Sequence, residues 1–563
     1  MRRTFPIRIA VLAAAAWVGL GAHPAAAATL CVAKTGGCYR TIQAALRAAH
    51  AGDTIAIGRG TFRGGLHITA SVRLVGRGPG RTVIRGGRSV ITIGRFGATR
   101  EPTVSIAGVT VTGGLTHTSP ESIPFTGAAN VFAAGGGIEI PPNADFSGGA
   151  TVTITHSVIS DNRVAPLVRL PIGPECDTGK CPFAGAFGAG IDSWGTLTLR
   201  HTTVARNTAR GVASDADGGG IASHLGALVL QDSAVRDNRA IAPIPLGRFA
   251  EGGGIYVEGG SLRLSGVAVT GNAARMANDL PAFADDGSLI DMNANSGGVH
   301  VAAGPPVHVD HATISRNTVV AVAPTAEPCA FDSAMLVDDS PVVMHDTVIA
   351  HNRLVDVVLT LADVGPCGSV FDSDGGTGVL SHIRVAGNTS TVRSSHGAAA
   401  VAGAFSVLGS SRHAFRRVTL SDSTIAGNMA IARSGSGSAS GFGGGVISNA
   451  LLTLERVSVV GNRVQASAPT GTEQGGGIWS GVLLTGPPVQ LDLLDSIVAR
   501  NVLVRLPGIA RAGGGLFTAA PHRISGTTFS GNDPDACSGC SVQATTADPL
   551  PHLVRPRAGR DRS

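Results

Sequence analysis

The sequence predicts an all-β fold, a single-stranded right-handed parallel β-helix solenoid of about 12–13 coils with a short N-terminal capping helix. Three observations predict it. Glycine accounts for 79 of 563 residues, while 43% of residues are hydrophobic and only 4% aromatic, a composition typical of short stacked strands around an aliphatic interior. A block that begins near Gly-Gly-Gly-Ile and ends in Asn recurs along the chain. Apolar residues alternate within each block, as in Leu262-Arg263-Leu264, and this alternation predicts strands.

The first 28 residues are predicted to be a secretory signal peptide. Arg2, Arg3 and Arg8 precede an apolar run, and small residues follow up to Ala28. The alternative is a membrane anchor, which the run disfavours because a spanning helix needs about 20 residues. We therefore expect a secreted, extracellular or cell-surface protein with no membrane span after signal removal. Loss of these three arginines lowers the formal net charge from +6 to +3. The mature protein then has too little positive charge to predict nucleic-acid binding.

The mature chain is expected to form one β-helix domain over residues 29–540. Residues 41–50 place Ile42, Ala45, Leu46 and Ala49 on one helical face, which would cover the open N-terminal end of the core. Residues 541–563, rich in Pro and Arg, are predicted to be a disordered basic tail.

An asparagine closes each repeated block. We expect it at a turn that tolerates left-handed backbone, with its amide hydrogen-bonded along the stack, and we expect the glycine run at a tight corner. Between neighbouring asparagines, the pattern predicts three strands per coil, and a short extended run, such as Arg163-Val164-Ala165, follows the Asn before a loop of variable length. The predicted structural asparagines are Asn162, Asn207, Asn238, Asn272, Asn317, Asn352, Asn388, Asn428, Asn462, Asn501 and Asn532.

The repeats resemble those of a known family. Gly-Gly-Gly-Ile followed by Ile-x-x-Asn is similar to the GGA[ILV] and FxxN repeats of polymorphic outer membrane proteins, whose passengers are right-handed parallel β-helices. The opening Thr41-Ile42-Gln43 and Gly52-Asp53-Thr54 looks like the start of exported pectate-lyase-like proteins. The resemblance implies the fold and leaves the activity open, because this architecture serves enzymes and adhesins alike. About 30 residues follow the last repeat, so we expect no translocator barrel in this chain.

Eight cysteines lie beyond the expected cleavage site and fall into pairs. In an exported protein they predict four disulfides, although the last pair, spaced Cys-x-x-Cys, also fits a redox motif or half of a metal site. The third pair would stack Asp332 over Asp372, and with Asp338, Asp339 and Asp374 nearby this would form a calcium site; no other cofactor is expected. The four pairs are Cys31 with Cys38, Cys176 with Cys181, Cys329 with Cys367, and Cys537 with Cys540.

Strand alternation assigns the side chains that point out of the solenoid. Glu139 and Asp192 would lie one strand spacing apart, about 4.8 Å, near the separation of the two catalytic carboxyls of a retaining glycosidase. They are the candidate catalytic residues if the protein is an enzyme, and the alternative is a solvated sheet face. Met335 is assigned to the same outward row. The candidate substrate-binding residues are Trp194, His224, Tyr256, Glu258 and His300.

The late coils place Ile447, Trp479 and Phe517 on the same outward face. This stripe is predicted to be either a partner surface or a floor covered by connecting loops.

These features predict an exported β-helix repeat protein that acts as a binding or adhesin-like module toward polysaccharide or another cell-surface ligand. The alternative is a carbohydrate-active enzyme, a polysaccharide hydrolase or lyase, that uses the outward acidic and aromatic face. No P-loop, HExxH or GxSxG motif occurs in the sequence to suggest other chemistry.

Overall fold

The structure is a computed structural model that describes residues 27–118, 131–167, 184–211, 215–243, 249–277, 293–323, 329–358, 369, 371–374, 376–401, 403–408, 417–482 and 489–540. The strands within each sheet are parallel, and each strand pairs with its counterparts one coil away. The predicted parallel β-helix is therefore confirmed. In the described residues, no helix is long and apolar enough to span a membrane.

One complete coil contains five strands rather than the predicted three. It runs through Thr196–Arg200, Thr203–Ala205, Thr208–Arg210, Asp215–Asp217 and Ile221–His224. The first, second and fifth strands belong to sheets 1, 2 and 3, which form the wall of the solenoid. The third and fourth leave the wall and return to it, and their stacked copies form two further layers, which we call the wing.

The wall sheets contain 15, 14 and 14 strands, so the stack is slightly longer than the predicted 12–13 coils. The first coils lack the Gly-Gly-Gly and Asn motifs, which is why the repeat count missed them. Sheet 1 consists of Thr29–Val32, Thr54–Ile57, Arg73–Val75, Thr103–Ala107, Thr151–Thr155, Thr196–Arg200, Ala227–Gln231, Ser261–Ser265, Val307–Asp310, Val342–His345, Gly378–Ser381, Arg417–Ser421, Leu451–Glu455, Gln490–Leu494 and His522–Ser525. Sheet 2 consists of Gly60–Arg63, Thr82–Arg85, Thr110–Thr112, Val158–Ser160, Thr203–Ala205, Ala234–Arg236, Ala268–Thr270, Thr313–Ser315, Val348–Ala350, Arg384–Ala386, Thr424–Ala426, Ser458–Val460, Ile497–Ala499 and Thr528–Ser530. Sheet 3 consists of Leu66–Ile68, Ile91–Ile93, Ile138–Ile140, Ile191–Ser193, Ile221–His224, Ile255–Glu258, Val299–Ala302, Met335–Asp338, Phe371–Asp374, Phe405–Leu408, Val446–Ser448, Ile478–Ser480, Leu516–Thr518 and Cys537–Ser538.

The wing has its own small core. Alanines of sheets 4 and 5, such as Ala242, Ala250 and Ala274, pack against one another and are fully buried. Their short side chains let the two layers approach closely. Sheet 4 consists of Leu115–Thr116, Arg163–Val164, Thr208–Arg210, Arg239–Ala242, Ala273–Ala277, Thr318–Ala323, Arg353–Val358, Thr389–Ser394, Met429–Ser434, Arg463–Ser467 and Val502–Leu503. Sheet 5 consists of Val131–Ala134, Ala184–Phe187, Asp215–Asp217, Phe249–Glu251, Asn293–Asn295 and Cys329–Phe331, and sheet 6, which takes its place in the later coils, of Ala398–Val401, Ser438–Phe442, Thr470–Gln474 and Ile509–Ala512.

The solenoid interior is built from aliphatic side chains, as the composition predicts. Leu197, Leu228 and Leu262 lie in register on successive coils and are at most 1% exposed. The few aromatic side chains inside include Phe371 and Phe405, whose rings stack with centroids 5.2 Å apart. Each coil thus extends one hydrophobic column of the core.

A short helix, α1 (Ile42–Ala48), covers the N-terminal end of the core. The Thr41 hydroxyl accepts a hydrogen bond from the Ala44 amide at 3.2 Å and caps the helix. Ile42, Ala45 and Leu46 are buried, so the predicted capping helix is confirmed within the predicted range of residues 41–50.

The eleven predicted asparagines form one ladder along the solenoid, and all except the last, Asn532, are buried. Asn207 Nδ2 donates to Asn238 Oδ1 at 2.9 Å and to the Ile159 carbonyl at 3.1 Å, and its backbone amide also donates to Asn238 Oδ1. The left-handed backbone predicted for Asn lies instead on the residue before it, for example Arg206 and Asp237, with φ values of 55° and 57°. The left-handed turn before each Asn directs its side chain along the stack, where it makes its hydrogen bonds.

The glycine run forms the corner between the wing and sheet 3. A Cβ added to Gly220 would lie 2.5 Å from the Gly254 carbonyl oxygen and 2.9 Å from Asn238 Nδ2. A side chain at Gly220 would therefore collide with the next coil unless the backbone shifted, and this crowding accounts for much of the excess glycine.

Two of the four predicted disulfides are present, Cys31–Cys38 and Cys537–Cys540. The Cys-x-x-Cys pair is thus a local disulfide. The pairings of Cys176 with Cys181 and of Cys329 with Cys367 lie outside the described side chains, as do the N-terminal 26 residues and the 541–563 tail.

Candidate functional site

The outer face of sheet 3 carries the predicted site residues in the expected register. Glu139 pairs with Asp192 on the next coil, and Tyr256 pairs with His300. Met335 departs from the prediction, because it pairs with Val299 and points inward, and Leu336 takes the outward position instead. In this coil Asp-Ser-Ala replaces the glycine run, and Met335 occupies the place of the inward Ile.

This outer face is buried rather than exposed, which corrects the expectation of a surface site. Glu139 is 4% exposed, Asp192 0%, Tyr256 7% and His300 3%. The cause is the wing: the side of sheet 5 that faces away from its alanine core lies against sheet 3. We call the interface between sheet 3 and sheet 5 the seam.

Glu139 lies at the N-terminal part of the seam. Its Oε2 accepts hydrogen bonds from Ser89 Oγ at 2.8 Å and Thr92 Oγ1 at 3.2 Å. Burial and the charge of neighbouring Asp192 raise the pKa of Glu139 to about 7, although the two hydroxyl groups oppose the shift. At neutral pH this carboxyl is poised between its two protonation states.

His224 bridges two carboxylates of the seam. Its Nε2 lies 3.2 Å from Asp192 Oδ1 and its Nδ1 lies 3.3 Å from Glu258 Oε2. Burial opposes the charge on the ring, but both carboxylates outweigh this effect and raise the pKa of His224 to about 10. The side chain of Glu258 is 59% exposed, so this charged pair leads from the buried seam to the surface.

His300 repeats the arrangement further along the stack. Its Nε2 lies 3.1 Å from Asp338 Oδ2 and its Nδ1 lies 3.5 Å from Glu251 Oε2. Burial again opposes the charge, and the two carboxylates raise the pKa of His300 to about 10. Between the two histidines, burial and nearby Asp217 raise the pKa of the Tyr256 hydroxyl.

The wing contributes acidic residues to the seam that the sequence pattern did not predict. Burial and Glu251 raise the pKa of Asp217 well above its usual value, and Glu251 also accepts a hydrogen bond from Asn295 Nδ2 at 2.7 Å. A signal was present, because an alanine stands two positions before the corner in six coils. These alanines are Ala133, Ala186, Ala216, Ala250, Ala294 and Ala330.

Aromatic rings continue the seam to the protein surface. Trp194 stacks on His224 with ring centroids 4.8 Å apart. Phe146 contacts Trp194 at 5.8 Å, and Phe96 contacts Phe146 at 5.7 Å. Phe96, Phe146 and Trp194 are each half-buried and follow sheet 3 on three successive coils. We call these three residues the aromatic edge.

The late-coil stripe is a covered floor and not an open partner surface. Ile447 is fully buried and Trp479 is 5% exposed. Trp479 stacks with Phe517, contacts Phe442 edge to face, and donates from Nε1 to Gln474 Oε1 at 3.0 Å. Phe442 and Gln474 belong to sheet 6. The stripe is therefore covered by strands of the wing and not by connecting loops.

The predicted calcium site is not assembled as expected. Asp372 pairs with Leu336 and not with Asp332, because Asp332 lies at the corner before sheet 3. Burial and nearby Asp372 raise the pKa of Asp332 well above its usual value. In the described part of the chain, three donor groups converge closely enough for an ion elsewhere, at Asp310, His311 and Asp346.

The buried carboxyls limit what this arrangement can do chemically. Glu139 and Asp192 provide an acid with a raised pKa beside a second carboxyl, the combination needed for general acid and base catalysis. Both lie beneath the wing, however, whereas Glu258, Asp338 and the aromatic edge are partly exposed to solvent. The accessible part of the site is therefore suited to binding.

Comparisons with known proteins were made on sequence and on structure. No protein-family model matches the chain, and no curated protein matches its sequence, so the resemblance to polymorphic outer membrane proteins stays a prediction. Three similar solved structures have low TM-scores. They are the A-module of mannuronan C-5 epimerase AlgE6 from Azotobacter vinelandii (13% identity, 86% of this chain and 93% of that chain covered, TM-score 0.31), DFA-IIIase from Arthrobacter chlorophenolicus A6 without its lid (12%, 82% and 88%, 0.26) and the family 28 exopolygalacturonase from Yersinia enterocolitica (9%, 88% and 75%, 0.28). At these scores the similarities carry no argument about the chemistry of this chain.

Proposed function

We propose that this protein is an exported polysaccharide-binding module that holds its ligand along the aromatic edge. The observation that carries the proposal is the row of three half-buried rings, Phe96, Phe146 and Trp194, on successive coils. Rings in such a row offer apolar faces to sugar rings, while the neighbouring Glu258 accepts hydrogen bonds from hydroxyl groups. The N-terminal signal predicted from the sequence supports a role outside the cell.

The Trp194 side chain of the aromatic edge is held in place by its neighbours, so it loses little conformational entropy when a ligand binds. Trp194 is held between Phe146 and the His224 ring, and His224 is fixed by its two carboxylate partners. A preorganised side chain loses little conformational freedom when a ligand binds.

The negative charge beside the aromatic edge restricts which polysaccharides are expected to bind. Each buried histidine shares its positive charge between two carboxylates, so the mouth of the seam carries excess negative charge. Glu258 and Asp338 present this charge to solvent. Neutral or amine-bearing polysaccharides are therefore favoured, and uronic acid polymers are repelled.

The test is binding of the mature protein to neutral, amine-bearing and uronate polysaccharides, measured by affinity electrophoresis or calorimetry. Trp194→Ala is expected to weaken binding of the preferred ligand at least tenfold, as is common when a tryptophan anchor is truncated. The matched control is Phe517→Ala, which removes a half-buried outward ring of sheet 3 in the late coils and should leave binding unchanged. Equal binding by both variants would refute the proposal.

A second function is favoured by one observation, the raised pKa of Glu139, about 7, beside Asp192. If the wing opens, Glu139 would act as the general acid and Asp192 as the nucleophile in retaining hydrolysis of a polysaccharide. The mature protein would then release reducing ends from a polysaccharide panel, and Glu139→Gln would abolish the release because amides cannot transfer the proton. Absence of any release from the panel rejects this second function and leaves the binding proposal standing.

A further inference from the structure

A histidine and two aspartates converge at a turn between sheets 1 and 2, on the side of the solenoid that the seam does not use. His311 Nδ1 lies 2.8 Å from Asp310 Oδ1, and His311 Nε2 lies 3.8 Å from Asp346 Oδ2. One donor atom from each of the three residues lies within 4.8 Å of the others.

The stacking of the coils brings these groups together. Asp310 ends a strand of sheet 1 and pairs in register with His345 on the next coil. His311 and Asp346 follow at the same turn position, with φ values of 49° and 47°. The positions are thus fixed by the backbone, while the side chains remain 68% and 48% exposed and free to rotate toward a ligand.

The charge at this turn is unbalanced. Two coils further along, Asp422 is neutralised by Arg456, whose Nε and Nη2 both bond to its carboxylate. In the described residues, no arginine or lysine lies within ion-pair distance of Asp310 or Asp346. Two carboxylates share one imidazole, and even a protonated ring leaves a net negative charge that attracts a cation.

We propose that Asp310, His311 and Asp346 form a surface site for a divalent transition-metal ion of the Zn²⁺ class. Imidazole nitrogen and carboxylate oxygen bind Zn²⁺ at about 2.0–2.2 Å, so small rotations of these exposed side chains bring all three donors to one ion. Water completes the coordination. Ca²⁺ is disfavoured because it takes 6–8 oxygen ligands, and this turn supplies one nitrogen and two carboxylates.

The experiment is calorimetric titration of the metal-free mature protein with Zn²⁺, and separately with Ca²⁺. We expect the wild type to bind one Zn²⁺ that His311→Asn and Asp346→Asn each weaken at least tenfold, with Ca²⁺ bound much more weakly. Asparagine tolerates left-handed backbone at position 311, and circular dichroism verifies that the variants fold. A visible spectrum of bound Co²⁺ that His311→Asn abolishes gives a second readout.

The matched control is His351→Asn. His351 is also exposed, and its φ of 57° is also left-handed, but it lies at the turn between sheet 2 and the wing. Its loss should leave Zn²⁺ binding intact. The proposal is overturned if His311→Asn titrates like the wild type, if His351→Asn weakens binding as much as His311→Asn does, or if Ca²⁺ binds as tightly as Zn²⁺.

Discussion

At the scale of single residues, each interior asparagine of the ladder satisfies several buried groups at once. Asn272 Nδ2 donates to the Val235 carbonyl and to Asn317 Oδ1, at 2.9 and 3.1 Å. Its Oδ1 accepts from both the backbone amide and Nδ2 of Asn238, at 3.0 Å. The side-chain amide of Asn272 must therefore donate and accept hydrogen bonds at once. Among side chains of this size, only that of Asn does both at neutral pH. The repeated Asn in the sequence follows directly from this requirement.

Asn272→Ala is expected to lower the free energy of unfolding by about 3 kcal/mol or more. Truncation leaves buried partners on both neighbouring coils unpaired, and each such group costs about 1–3 kcal/mol. Asn272→Asp tests the reason, because it keeps the acceptor and the shape but removes the donor, and it should destabilise at least as much at pH 7. Chemical denaturation followed by circular dichroism measures both changes. A loss below about 1 kcal/mol in either variant would contradict the ladder's structural role.

At the scale of elements, the sequence pattern predicted the wall of the solenoid and the short strand that follows the Asn, such as Arg163–Val164 in sheet 4. It did not predict sheet 5. Leu228 and Leu230 face the core and Val229 faces out in sheet 1, as period-two reading requires. Strands of sheet 5 such as Asp215–Asp217 are only three residues long and have alanine as their apolar residue, so their alternation carries little hydrophobic contrast. Their sequences therefore predict loops.

Because sheet 5 was not predicted, the register of the site residues was predicted correctly but their solvent exposure was not. Register follows from counting residues after the glycine corner, and Glu139, Asp192 and His300 lie where that count puts them. Burial depends on what packs against the strand, and the covering residues, such as Glu251, come from the wing. The solvent exposure of a strand face cannot be deduced from that strand alone.

At the scale of the whole molecule, buried acids and histidines act on stability in the same direction. Burial raises the pKa of Glu139 and Glu473 to about 7 and of Asp356 to about 8. The folded protein therefore holds these protons at pH values where the unfolded chain has lost them. His224 and His300, with pKa values of about 10, likewise hold protons in the folded state that the unfolded chain releases above about pH 6.5.

The protein is consequently expected to be most stable in mild acid and to lose stability steadily as the pH rises from about 5 to 9. Where the folded state binds more protons than the unfolded state, the free energy of unfolding falls with increasing pH. For Glu139 the loss begins near pH 4.5, its unfolded value, and is complete above pH 7; it amounts to roughly 3 kcal/mol. Thermal unfolding followed by circular dichroism at each pH measures the slope.

Glu139→Gln measures how much of this pH dependence of stability comes from the seam. Glutamine keeps an acceptor for Ser89 and Thr92 but takes up no proton, so the decrease in melting temperature between pH 5 and pH 7 should become shallower. The matched control is Glu455→Gln, because Glu455 lies outside the seam and pairs with Arg456; this variant should retain the wild-type slope. A melting temperature that rises from pH 5 to pH 9, or an unchanged slope in Glu139→Gln, would show that the seam does not hold Glu139 as a protonated acid.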